Sequence, residues 1–148
     1  MARAEILHVE DDPDDAFFVG KAFNKALGKS IVRHIKDGHD VIEYLKQTWI
    51  LNADGSHDAD LVLLDIKLPN LDGFEVLRWI RSQPRFKHLM VVILSGSSVE
   101  ADKVRASKLG ANAYFSKTID YQDVVAFVAG QLAKREKGAG ADAGSTTV

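Results

Sequence analysis

A regular alternation of short apolar runs with segments of helical periodicity constrains the fold of this chain more than any other feature. Five runs indicate strands, and each is followed by a segment whose apolar residues recur every three or four positions. Strict alternation of this kind predicts a parallel sheet with helices packed on both faces. The predicted strands cover residues 5–10, 31–36, 61–65, 90–95 and 113–116, and the predicted helices cover 14–27, 39–51, 74–82, 99–109 and 121–136.

Length and composition indicate one domain. The chain has 148 residues, 46% of them hydrophobic, which is enough for one core and leaves little room for a second. Residues 1–137 carry the alternating pattern and form the predicted domain. Residues 138–148 are mostly Gly, Ala, Ser and Thr, and they predict a flexible tail because they offer little apolar surface to bury.

The composition also excludes several classes of function. The net charge of −2 shows no excess of basic residues, which a nucleic-acid binder would be expected to carry. The absence of cysteine rules out disulfides and thiolate metal sites. No apolar stretch approaches the roughly 18 residues of a membrane span. The N-terminal residues enter a strand pattern at once, so we expect no signal peptide.

Polar residues follow four of the five predicted strands, at the point where each strand ends. Glu10 ends the first strand and Asp11 follows it, Asp65 ends the third, Ser95 ends the fourth, and Lys117 follows the fifth. Because the carboxyl ends of parallel strands share one edge of the sheet, we expect these side chains to converge. Carboxylates, a hydroxyl and an amine in one cleft indicate a divalent cation with oxygen ligands and a phosphoryl group.

Each residue type has a reason to be in such a cleft. The predicted cation is Mg²⁺, which prefers a few carboxylates with water and phosphate oxygens, and its charge offsets the repulsion between the acids. Lys117 would supply a positive charge for the phosphoryl oxygens. The hydroxyl of Ser95 and the backbone N–H groups around Lys67 and Gly96 would donate hydrogen bonds.

These motifs resemble the receiver domain of two-component response regulators. The resemblance rests on the acidic cluster after the first strand, the run DIKLPNLDG that begins at Asp65, the hydroxyl of Ser95 and the late Lys117. It covers residues 4–134. It implies a flavodoxin-like fold with five parallel strands in the order 2-1-3-4-5.

The resemblance also implies a role for each acidic residue of the site. Asp65 matches the phosphoacceptor of the family. Glu10 and Asp11 match its metal-binding pair, with Asp11 as a direct ligand of Mg²⁺ and Glu10 binding through water. Asp65 itself and the backbone carbonyl of Lys67 would complete the protein's share of the metal site.

Lys117 matches the family's catalytic lysine, and Ser95 and Tyr114 match its switch residues. A sensor histidine kinase would phosphorylate the domain in the cytoplasm, and the domain would then change conformation and signal through protein contacts. The resemblance implies a signalling switch with slow self-catalysed phosphorylation and dephosphorylation, not an enzyme with external substrates. Tyr121, Val125 and Ala129 of the last helix would permit a homodimer.

Two departures from the family pattern narrow the resemblance. Thr118 stands where the family usually has proline after the lysine, so we expect a trans peptide bond between Lys117 and Thr118. The loop before Asp65 is longer than in minimal receiver domains. Together with the acidic run EDDPDD, these features resemble single-domain regulators that partner bacterial phytochrome kinases.

Three other functions are compatible with parts of the pattern. A phosphatase with an aspartyl phosphate intermediate would use the same residue types, but the most familiar ones carry Asp-x-Asp after the first strand. A receiver-like interaction module would leave its intact phosphosite unused. A nucleotide-binding domain is disfavoured because the chain lacks both the Gly-x-Gly-x-x-Gly motif and a P-loop.

Several residues near the site have two interpretations. Asp12 would either bond a metal-bound water or cap the first helix, whereas Asp14 and Asp15 complement the dipole of that helix. Phe18 would either be exposed and dock the kinase or pack under a neighbouring loop. His8 is predicted to be a core residue with its hydrogen bonds satisfied. We further expect Lys67 and Ser97 to set the rate of phosphate hydrolysis.

Overall fold

The computed structural model of the chain describes residues 4–28, 31–51, 59–118 and 120–142. Within these ranges, strands and α-helices alternate as the sequence predicts, and one 3₁₀ turn, Pro84–Phe86, follows the third helix. The elements are β1 (Glu5–Val9), α1 (Pro13–Leu27), β2 (Ile31–Ile35), α2 (Gly38–Leu51), β3 (Leu61–Leu64), α3 (Gly73–Ser82), β4 (Met90–Ser95), α4 (Glu100–Lys108), β5 (Ala113–Ser116) and α5 (Tyr121–Asp142).

The strands form one parallel sheet in the order β2-β1-β3-β4-β5, which confirms the predicted topology. Val9 at the end of β1 lies beside Ile35 of β2 and Leu64 of β3, and Ser95 of β4 lies beside Ser116 of β5. The carboxyl ends of the strands therefore meet at one edge of the sheet. The loops that leave this edge carry the polar residues predicted to act together.

The sheet separates two apolar clusters. Leu61 and Leu63 of β3 pack with α1 and α5 on one face, and Val62 and Leu64 pack with α2 and α3 on the other. All four side chains are fully buried, which is why this strand is an unbroken apolar run and not an alternating one. Each contributes about 2 kcal/mol of burial free energy, so β3 is anchored firmly just before Asp65.

Local capping fixes where two helices begin. Asp12 is the N-cap of α1 and accepts hydrogen bonds from the backbone N–H groups of Asp14 and Asp15, with Pro13 in the first turn. This observation favours the capping alternative for Asp12. Asp72 caps α3 in a capping box with Glu75, in which each side chain accepts from the other residue's backbone N–H.

The structure differs from the sequence predictions at several element ends. The strands β1, β2 and β3 each end one residue earlier than predicted, because the chain turns after Val9, Ile35 and Leu64. The last helix continues past residue 136 to Asp142 and includes the first residues of the predicted tail. Residues 143–148 lie outside the described ranges, and their flexibility stays a prediction.

The packing of three apolar residues also corrects or completes the sequence analysis. Val125 was predicted to lie on an outer face of α5, but it is buried in the cluster between α1 and α5. Phe17 and Phe18 are both exposed on α1, at 63% and 55%, and their rings form an edge-to-face pair.

Among the described residues, no helix is long and apolar enough to cross a membrane.

Candidate functional site

The end of β3 and the start of α3 enclose Asp65. Its backbone N–H donates to the Val9 carbonyl at 3.1 Å, so the residue is still tied to the sheet, and it is 5% exposed. The Gly73 N–H donates to the Ile66 carbonyl at 2.7 Å. A Cβ atom at Gly73 would overlap the carbonyl oxygen of Asp65, so only glycine lets α3 begin this close to the loop.

The ammonium group of Lys117 lies at the centre of the site. Its Nζ is 2.6 Å from Glu10 Oε1, 2.9 Å from Asp15 Oδ2 and 3.1 Å from Asp65 Oδ2. The Lys117 backbone N–H donates to the Ser95 carbonyl at 2.7 Å, which fixes the start of the lysine side chain against β4. The structure thus brings together three acids and a lysine from the ends of β1 and β3, the first turn of α1 and the end of β5.

Burial and ion pairing act on the charges of this group in opposite directions. Burial alone would lower the pKa of Lys117, but its bonds to Glu10, Asp15 and Asp65 outweigh burial and raise that pKa. Burial raises the pKa of Glu10 to about 7, against the lowering effects of Lys117 and of the Asp12 N–H. Lys117 is therefore a permanent cation at neutral pH.

Glu10, Asp11 and Asp65 can hold a divalent cation. One ligand atom of each lies within 4.8 Å of the other two, and Asp11 is exposed whereas the others are buried. Three carboxylates with an open side suit Mg²⁺ or Mn²⁺, which keep several water or substrate ligands. The donor set therefore fits the predicted metal, whereas the role of the Lys67 carbonyl stays a prediction.

The predicted switch residues are connected through Ser97. Ser95 is fully buried at the end of β4, and its Oγ accepts a 3.4 Å hydrogen bond from the Ser97 N–H. The Tyr114 hydroxyl donates to the Ser97 carbonyl at 2.8 Å. The Ser97 hydroxyl in turn donates to Asp102 Oδ2 at 2.6 Å in the first turn of α4. Ser95, Tyr114 and α4 are therefore linked through one residue.

Two features of the site were missed in the sequence. Asp15 was interpreted only as a helix-dipole acid, but it is a direct partner of Lys117, 102 residues away along the chain. The bond between Ser97 and Asp102 was not foreseen either. No local signal marks either role, because an acid in the first turn of a helix is common for other reasons.

His8 lies on β1, two residues before Glu10. It is a core residue as predicted, but its hydrogen bonds are not all satisfied within the described residues. It is buried, with 2% of its surface exposed, but no described protein group bonds its Nδ1. Its ring centroid lies 5.9 Å from that of His34. Burial, with smaller contributions from His34 and Lys117, lowers the pKa of His8 to about 3, so the ring is neutral at physiological pH.

The peptide bond between Lys117 and Thr118 is trans, as predicted; no cis bond occurs among the described residues.

Residues 6–129 match the family model of the response regulator receiver domain. The chain belongs to the response regulator receiver family. A receiver domain is a signalling switch that accepts a phosphoryl group from a histidine kinase, and it binds Mg²⁺ or Mn²⁺ in an acidic pocket.

Several relatives are similar to this receiver domain over most of their length. It is 33% identical to response regulator Rcp1 of Synechocystis over 129 residues, 84% of each chain. The Mn²⁺-bound form of Rcp1 superposes with a TM-score of 0.71 and 27% identity, over 98% of this chain and 99% of that one.

Several of the similar solved structures have the word phytochrome in their names. The phosphorylated cyanobacterial phytochrome response regulator RcpA superposes with a TM-score of 0.73 and 32% identity, over 87% of this chain and 91% of that one. The bacteriophytochrome response regulator AtBRR superposes with a TM-score of 0.71 and 34% identity, over 88% and 92% of the two chains. The fold and the narrower resemblance found in the sequence agree with these structures.

Proposed function

We propose that Asp65 accepts a phosphoryl group from the phosphohistidine of a sensor histidine kinase. A carboxylate oxygen of Asp65 forms the new O–P bond as the N–P bond of the donor breaks. The leaving nitrogen keeps the bonding electron pair and takes up a proton. The observation that carries this proposal is the position of Lys117 Nζ, 3.1 Å from Asp65 Oδ2 and next to the buried acid Glu10.

The other residues of the site neutralise and orient charge. Lys117 faces the Asp65 oxygen and is held there by neighbouring carboxylates, so it needs little rearrangement to meet the phosphoryl oxygens. Glu10, Asp11 and Asp65, with the carbonyl of Lys67, would hold Mg²⁺, Asp11 directly and Glu10 through water. The cation would supply positive charge to the oxygens of the transferring group. The same groups account for slow self-catalysed phosphorylation and dephosphorylation.

The phosphorylated state is expected to act on the β4–α4 loop. Among the described residues, Ser95 Oγ accepts a bond from the Ser97 N–H and donates to none, so its own hydrogen is available to a phosphate oxygen. An inward move of Tyr114 would break its bond to the Ser97 carbonyl, at a cost of about 1 kcal/mol. The helix α4 has Ala106 as its one buried residue and can therefore move with the loop. Phosphorylation would shift the population between these states.

The partner kinase is proposed to be a bacteriophytochrome. The names of RcpA and AtBRR, at 32% and 34% identity, support this choice. Phe17 and Phe18 form the exposed apolar feature of α1 that would meet the kinase. Phosphotransfer from a purified bacteriophytochrome kinase should slow several-fold in Phe18→Ser. It should not slow in Ile50→Ser, which removes an apolar side chain that is 78% exposed on α2.

A homodimer through α5 stays a prediction. The surface of α5 that could form it is smaller than the sequence suggested. Val125 is buried, so Tyr121 and Ala129, which are partly exposed, remain from the predicted group. Sedimentation of the unphosphorylated and phosphorylated protein would test it. A single monomeric species in both states would remove dimerisation from the mechanism.

Intact-mass measurement after incubation with acetyl phosphate tests the phosphoacceptor directly. The wild type should gain one phosphoryl group only when Mg²⁺ is present, and Asp65→Asn should gain none. Asp14→Asn is the matched control, because Asp14 is an exposed acid near the site that lies outside the proposed group. Absence of an adduct in the wild type, together with absence of beryllofluoride binding, would refute the proposal.

A further inference from the structure

Asp15 is bonded to Lys117 but does not belong to the acids that can hold a cation. Its Oδ2 lies 2.9 Å from Lys117 Nζ, closer than the 3.1 Å to Asp65 Oδ2. The group with ligand atoms near one another contains Glu10, Asp11 and Asp65 but not Asp15. Asp15 thus meets the lysine from the first turn of α1 and lies outside the cation group.

The position of Asp15 is fixed by the start of α1. Its backbone N–H donates to Asp12 Oδ1 at 3.3 Å, as part of the cap of the helix. Its side chain is 30% exposed, so its charge is partly screened but not fully solvated. The helix cap therefore fixes the stretch of backbone from which this carboxylate reaches Lys117.

Lys117 and a bound cation would compete for the same carboxylates. Glu10 and Asp65 are both partners of Lys117 and members of the cation group. A divalent cation placed between them would repel the ammonium and take over its acceptors. Among the three acids bonded to Lys117, Asp15 is the one for which this cation would not compete.

We propose that Asp15 is a positioning residue that keeps the Lys117 ammonium beside Asp65 while a divalent cation occupies Glu10, Asp11 and Asp65. This inference rests on the proposed function. It deepens that function by assigning Lys117 a third acidic partner, which has no part in binding the metal. Without Asp15, the lysine has only acceptors that it must share with the cation. Cation binding then weakens and the lysine is held less well for phosphoryl transfer.

Calorimetric titration with Mn²⁺ or Mg²⁺ tests the competition without any measurement of phosphorylation. We expect Asp15→Asn to raise the cation dissociation constant about fivefold. This change corresponds to the interaction free energy of one partly screened ion pair. Asp14→Asn removes a neighbouring exposed acid with no ion pair to Lys117, and should change the constant by less than about twofold. Asp15→Glu, which keeps the charge, should recover part of the affinity.

The decisive comparison repeats these titrations in a Lys117→Ala background. If Asp15 acts through the lysine, its replacement should have no effect on cation affinity there, because there is no ammonium to hold. An equal loss of affinity in both backgrounds would overturn the proposal and leave Asp15 as a general source of negative charge. Equal effects of Asp14→Asn and Asp15→Asn would overturn it as well.

Phosphorylation by acetyl phosphate at saturating Mg²⁺ separates this inference from the proposed function. We expect Asp15→Asn to form the same adduct on Asp65 about fivefold more slowly than the wild type. An unchanged rate would contradict the positioning role while leaving Asp65 as the acceptor. A wild type that forms no adduct would instead refute the proposed function, whatever the titrations give.

Discussion

Replacement of His8 by leucine should stabilise the receiver domain, and more so at acidic pH. His8 is buried on β1 with an Nδ1 atom that no described protein group bonds. Such an unsatisfied polar atom costs about 1 kcal/mol or more at any pH. Below neutral pH a second cost is added, because burial, His34 and Lys117 lower the pKa of His8 to about 3.

The sign and size of the acid effect follow from the two pKa values. The pKa of about 3 in the folded protein lies below the ordinary histidine value of 6.5, so the unfolded chain binds the proton more readily. The stability that neutral His8 allows is complete above pH 6.5 and is lost as the pH falls toward 3. At pH 5 the loss amounts to about 2 kcal/mol, at about 1.4 kcal/mol for each pH unit.

Urea unfolding in EDTA at pH 7.5 and pH 5 measures both effects, since the chelator removes any contribution from bound cations. The wild type should lose about 2 kcal/mol more than His8→Leu between the two pH values. His88→Leu is the control, because His88 is exposed and its replacement should leave the pH dependence of the wild type unchanged. Parallel pH profiles for the wild type and His8→Leu would refute the reasoning.

Three further changes test other parts of the structure. Gly73→Ala should cost about 2 kcal/mol in urea unfolding, because the added Cβ overlaps backbone, whereas Gly96→Ala meets nothing within 4 Å and should be nearly neutral. Arg81→Met removes donors to Gly110 and Asn112 in the α4–β5 turn and to the Phe86 carbonyl. It should cost about 2 kcal/mol, against a small effect for exposed Arg78→Met. Equal losses within either pair would contradict the assignment. Tyr114→Phe should speed hydrogen exchange in the β4–α4 loop about fivefold, and unchanged exchange would mean that its hydroxyl does not hold the loop.

The fold could be predicted because its signals are local. An apolar run such as Leu61–Leu64 is too short for a helix and too uniform for a half-exposed strand, so burial on both faces was the remaining interpretation. Asp12 and Asp72 mark helix starts because their side chains bond backbone groups only two or three residues away. The alternation of such elements then leaves few arrangements other than the observed sheet.

The membership of the site could also be predicted, but its contacts could not. Parallel strands bring Glu10, Asp65 and Lys117 to one edge whatever the details of their side chains. The distances from Lys117 to its three acids depend on how α1 and β5 pack on the sheet. The spacing of apolar residues in α1 shows only roughly which way each side chain of the helix points. The orientation of Asp15 toward Lys117 could therefore not be derived from it.

The local pattern of residues is enough to predict the elements, their order along the chain and the kinds of side chain at the edge of the sheet. Only the packed fold shows that Asp15 meets Lys117, that Val125 enters the core and that no described group bonds His8 Nδ1. The reason is the separation along the chain of the residues that interact. Capping and periodicity act within a turn or a strand, whereas ion pairs and burial join residues that only the packed sheet and helices bring together.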